Sequence, residues 1–167
     1  MDATMAFNLQ IGLGAIICAV VAKKYVWPKL KMMPIAAALM PLMLIGAARY
    51  LGGTFLVSQL NGDLPAQFVS SAGWGDTIAS LIALVAVFAL MYSQGFGKLM
   101  AWVYAIVGGL DFLYAVYLAT VLNIYSQVHV SWLIMVIVGP IQLINLIVLW
   151  CLLLKKPSQG MPNQGMM

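Results

Sequence analysis

Arg49, Asp76 and Asp111 are the residues whose types and positions could carry chemistry in this chain. Arg49 stands in the stretch Ala48-Arg49-Tyr50-Leu51-Gly52-Gly53, within a hydrophobic segment; the other seven Lys and Arg residues fall in loops or tails. A charge at membrane depth is expensive and must pair or reach water, so it is a functional-site hypothesis by default. A guanidinium presents its donors in a planar fork, and carboxylates take them in charge-assisted bonds that lower the penalty of burying each partner. Tyr50, Tyr104 and Tyr114 add hydroxyls, and the amides of Gln142 and Asn145 lie one helical turn apart as a polar floor. The expected ligand-binding set is therefore Arg49, Tyr50, Asp76, Tyr104, Asp111, Tyr114, Gln142 and Asn145.

Three uses of such a set stay open. The charges pin helices together, or they line an outward-facing pocket for a small lipophilic or anionic molecule, or Asp111 serves a proton or ion path. The last lacks the chain of intramembrane acids and histidines that pumps use. Asp76, at the expected start of a helix, also reads as an N-cap satisfying free N–H groups.

The elements that must position these residues follow from composition. Of 167 residues, 64% are hydrophobic and 7% charged, against about a quarter charged in a soluble domain. Lipid must be the solvent, and an all-α polytopic membrane bundle is the expected fold. Five transmembrane helices are expected, over residues 6–22, 33–58, 75–94, 99–123 and 130–154, in a single domain of residues 1–156. The tail 157–167, rich in Pro, Gly and polar residues, is expected to be disordered. Trp27-Pro28-Lys29 reads as an interfacial loop, residues 59–73 as the longest polar connection, and Gly95-Phe96-Gly97-Lys98 as a short return. Pro41 and Pro140 should kink their helices. At ~1.5 Å per residue, Arg49 lies ~24 Å and Asp111 ~20 Å from the inner ends of their helices, so both belong to the outer half.

Lys23, Lys24, Lys29, Lys31, Lys98, Lys155 and Lys156 all fall on one side of such a bundle. The positive-inside rule puts that side in the cytoplasm, with the N-terminus outside and the C-terminus cytoplasmic. The same clustering at the ends of apolar runs argues against a phosphate-binding face, and no nucleic-acid partner is expected. Cys18 and Cys151 lack a Cys or His at ligand spacing and read as buried, inert thiols. His129 is the sole histidine, and the methionine clusters fall in a loop and the tail, so no metal site is expected. No cofactor motif and no hydrolase triad is present.

Further residues carry a resemblance. Arg49-Tyr50-Leu51-Gly52-Gly53, then Gly62, Leu64-Pro65, Phe68 and Ala72-Gly73-Trp74-Gly75-Asp76, resemble an uncharacterised family of small bacterial multi-pass inner-membrane proteins. That family shows an R-x-x-G stretch, then G-x-L-P, then A-G-x-G-D opening the next helix; Gly109-Leu110-Asp111 is similar to its later G-x-D step. The likeness covers roughly residues 39–123 and departs at Ser70-Ser71, where the family tends to have proline. It implies the bacterial inner membrane, treats the three charges as one set and implies no activity. Two function classes follow: a small-molecule binding or transport protein, and a structural or accessory subunit docking on partner helices or on further copies of itself. An enzyme acting on a lipophilic substrate, with Asp111 and tyrosines in acid–base work, is a third.

Overall fold

The structure, a computed structural model, describes residues 2–57, 64–126 and 131–155. The turn at 61–63, His129, Lys156 and the tail 157–167 lie outside the described residues. Among the described residues five helices are long and apolar enough to cross a membrane: α1 Ala3–Leu30, α2 Ile35–Leu56, α3 Ala66–Tyr92, α4 Gln94–Val121 and α5 Ser131–Leu154. No strand occurs among the described residues.

The larger departures from the sequence reading each have a local reason. Helix α1 does not stop at Lys23-Lys24 but continues through a π-helical stretch, Ala22–Val26, into Trp27–Leu30. Pro28 falls at the start of that last piece, after the wider π turn has already shifted the hydrogen-bond ladder, so its missing N–H breaks little. Trp27 is therefore helical, with Lys31 Nζ 5.9 Å from its ring centroid.

Helix α2 is α-helical over Ile35–Ala47 and then tightens to a 3-10 helix over Ala48–Leu56. Runs of that geometry longer than three or four residues are uncommon, so other parts of the protein must hold it. Helix α3 begins at Ala66, immediately after Pro65, and not at residue 75. Phe68 and Ala72, four residues apart, bury one face of this early turn with Phe55, Leu118, Ala119 and Ile124. Packing of that kind outweighs the weak helix preference of the serines and glycines beside them. The return between α3 and α4 is Ser93 alone, whose Oγ accepts from the Phe96 N–H at 3.5 Å, so residues 95–98 form the first turn of α4. At its other end α4 closes at Leu122, and Asn123 just beyond lies in the left-handed region at φ 48°, a conformation asparagine tolerates.

Small residues set how closely the helices approach. Ala79, Ala83 and Ala86 on α3, and Ala101 and Ala105 on α4, are fully buried, and α3 and α4 form the most extensive helix pair. Gly97 lies against Leu90, where a β-carbon would sit 2.7 Å from the Leu90 backbone. Such faces let membrane helices gain van der Waals contact without polar glue. Helix α2 packs against α3, α4 and α5, while α1 docks mainly on α5. Gly14 of α1 meets the Pro140 ring, whereas Gly12 has nothing within 4 Å of a β-carbon position. Phe7 locks this edge with its ring centroid 4.8 Å from Tyr125 and 5.1 Å from Trp132. The Trp132 indole N–H donates to Gln10 at 2.6 Å. The cysteines are not buried: Cys18 is half-buried and Cys151 exposed, both as free thiols.

Candidate functional site

The 3-10 segment decides which residues reach the site. At three residues per turn, positions i, i+3 and i+6 eclipse each other in one row. That row is Arg49, Gly52 and Phe55, and these are the buried residues of Ala48–Leu56. An α-helix would have paired Ala48 with Gly52 on one face; the tighter turn replaces Ala48 by Arg49. Tyr50, one step off the row, points away and is exposed.

Arg49 is 2% exposed and engages all three guanidinium nitrogens. Its Nε donates to Asp76 Oδ1 at 2.7 Å, and Nη2 lies 2.6 Å from the same oxygen. Nη2 also donates to Asp111 Oδ2. Nη1 donates to the Gly108 backbone carbonyl at 2.7 Å. The expected pairing of Arg49 with both carboxylates is thus present, with a main-chain acceptor that residue types alone did not suggest. Asp76 lies well inside α3, since the helix starts at Ala66, so it caps nothing.

Each carboxylate is seated on a glycine. A β-carbon at Gly52 would overlap Asp76 Oδ2, and one at Gly75 would overlap Asp111 Oδ1. These two glycines let three helices close around the charges. Their place in Gly52-Gly53 and Trp74-Gly75-Asp76 was the available sign, although spacing alone did not identify what they accommodate.

Tyr104, Gln142 and Asn145 are also brought in, but mostly to hold α2. Tyr104 is fully buried, its ring over Gly46 and its hydroxyl 3.4 Å from Gln142 Oε1. Gln142 Nε2 donates to the Ile45 carbonyl at 2.7 Å, and Asn145 Nδ2 to the Leu42 carbonyl at 3.1 Å. Ser80 Oγ donates to the Ala47 carbonyl at 2.6 Å. Three side chains from α3 and α5 thus donate to carbonyls in the last two turns of the α-helical part of α2, just before its geometry tightens. Ser80 was not anticipated. Tyr114 stays outside the cluster: it is exposed on α4 and stacked on Tyr117, ring centroids 6.3 Å apart.

Beside the charges lies a half-open cavity of about 140 Å³. Arg49, Asp76 and Gln142 form its polar side; Phe7, Phe55, Phe68, Phe112 and Tyr125 supply aromatic wall. An apolar cavity of about 150 Å³ holds a benzene-sized molecule, and a few convergent polar groups in an apolar wall are the usual composition of a small-molecule site.

A family model described as a domain of unknown function, DUF8737, matches residues 6–154. No curated protein and no solved structure matches the chain. The match takes in all five helices up to Leu154, so the chain belongs to that family.

Proposed function

We propose that this DUF8737 protein is a bacterial inner-membrane protein that binds, or carries, a small lipophilic molecule in the cavity beside Arg49. Its N-terminus faces outside, its C-terminus and lysines the cytoplasm, and its site lies in the outer half of the bilayer. The observation that carries the reading is the junction of aromatic wall and buried charge at one cavity, lined by Phe7, Phe55, Phe68, Arg49 and Asp76 together. Lysines at the end of α1, at the start of α4 and after α5 support the orientation. Large exposed apolar side chains on every helix, such as Leu81, Phe88, Leu113 and Leu133, suit contact with lipid.

Native mass spectrometry of protein extracted in mild detergent tests the reading. The expected result is a co-purified or added small lipophile that Phe68→Ala or Arg49→Ala releases while the protein remains folded. Retention of the lipophile in both variants would overturn it.

One observation favours a second reading, a structural or accessory subunit. The guanidinium is satisfied within the chain by Asp76, Asp111 and Gly108, so the network can pin α2, α3 and α4 with no ligand. In that case partner membrane subunits, or further copies of the chain, copurify under gentle extraction and the cavity stays empty of anything but lipid.

A further inference from the structure

We infer that the polar end of the molecule taken by this cavity is a hydrogen-bond donor, an ammonium for preference, and not an anion. The inference rests on the binding reading above and specifies the chemistry of its ligand.

Charge count gives the first argument. One guanidinium faces two carboxylates, and the ion pairs found among the described residues are those of Arg49 alone. With all three groups ionised, one negative charge is left over, in a place where an unbalanced charge is costly. A cationic ligand restores neutrality; an anionic one would double the excess.

Accessibility gives the second. Arg49 is 2% exposed, and its nitrogens are committed to Asp76, Asp111 and the Gly108 carbonyl. An incoming anion would have to displace a carboxylate that a glycine holds in place. The side chains of Asp76 and Asp111 are 22% and 15% exposed, and Asp76 lines the cavity. Ionised carboxylates only accept hydrogen bonds. Gln142, the other polar group of the lining, has one amide N–H committed to Ile45 and its carbonyl oxygen accepting from Tyr104, so it carries no net preference between donor and acceptor guests. The most exposed charged group of the lining is therefore an acceptor, the Asp76 carboxylate.

The wall gives the third, from different residues. Phe7, Phe55, Phe68, Phe112 and Tyr125 line one small space, and the faces of such rings attract ammonium groups, most strongly where water is excluded. Aromatic rings and carboxylate together make a receptor for an amine carrying a short apolar or aromatic body.

Three probes of one shape test this on the full chain in mild detergent: 2-phenylethylamine, 2-phenylethanol and phenylacetate, with binding measured by calorimetry or native mass spectrometry. The amine should bind about tenfold tighter than the alcohol, with phenylacetate weakest. Asp76→Asn should lower amine affinity by about tenfold and alcohol affinity far less. Phenylacetate binding as well as or better than the amine overturns the inference while leaving a binding protein. Failure of all three to bind overturns the inference and the binding reading together. The wild-type ranking decides the matter even where Asp76→Asn does not fold.

Discussion

Asp111 of α4 rests on Gly75 of α3, the residue immediately before Asp76, so two carboxylates from different helices meet Arg49 side by side. A methyl group at position 75 would occupy the place of Asp111 Oδ1. Gly75→Ala should therefore destabilise the protein by about 1–3 kcal/mol, the usual range for overpacking. Gly52→Ala should act alike through Asp76. Gly53→Ala is the control, since a β-carbon there meets Thr77 Oγ1 at an ordinary 3.5 Å. Thermal unfolding in detergent makes the comparison, and equal losses at 53 and 75 would refute it.

Removing the cation should be worse than removing the whole set. Arg49→Ala leaves Asp76 and Asp111 uncompensated, at a cost of about 3–5 kcal/mol when one member of a buried ion pair is lost. The triple variant Arg49→Ala, Asp76→Asn, Asp111→Asn should recover part of that loss. A triple variant less stable than Arg49→Ala alone would show that the carboxylates have partners of equal weight elsewhere.

The side chains that donate to α2 can be tested one by one. Ser80→Ala and Gln142→Leu each remove a donor to a carbonyl beside the 3-10 segment, Ala47 and Ile45 respectively. Interhelical hydrogen bonds in membrane proteins average about 0.6 kcal/mol and reach about 1.7, so each change should fall in that range. Hydrogen exchange should accelerate in residues 48–56 more than in the α-helical part of α2. Uniform acceleration along α2 would mean that the segment holds its geometry by other means.

Orientation has its own readout. With Cys18 and Cys151 replaced by Ala, a cysteine at position 98 should react with an impermeant maleimide only when the cytoplasmic face is exposed. One at position 2 should react from outside. The reverse pattern would place Arg49 in the inner half of the bilayer.

The five-helix architecture was legible because long apolar runs and the breaks between them can be seen in a single sequence directly. Arg49, Asp76 and Asp111 stood out for the same reason: a charge in an apolar run is visible without coordinates. The early start of α3 was hidden, because Gln67, Ser70, Ser71 and Gly73 look like loop until Phe68 and Ala72 are seen against Phe55 and Leu118. The 3-10 geometry was hidden more deeply. A period of 3.0 and one of 3.6 drift apart by only about one and a half positions over the nine residues of Ala48–Leu56, too little to tell them apart in so short a pattern, and here the choice is supported by side chains on other helices that donate to the carbonyls before it. Tyr50 and Tyr114 were drawn into the expected site by hydroxyl chemistry, whereas their helix faces turn them outward.

The row Arg49, Gly52, Phe55 also makes this segment a ruler. Nine residues at a rise of ~2.0 Å cover ~18 Å, where an α-helix would cover ~13.5 Å. Each added or deleted residue rotates everything beyond it by about a third of a turn. A single insertion between Arg49 and Gly52 would carry the glycine off Asp76 and bring a side chain to it. Homologues that keep the charge cluster should accordingly change length here in threes, or not at all.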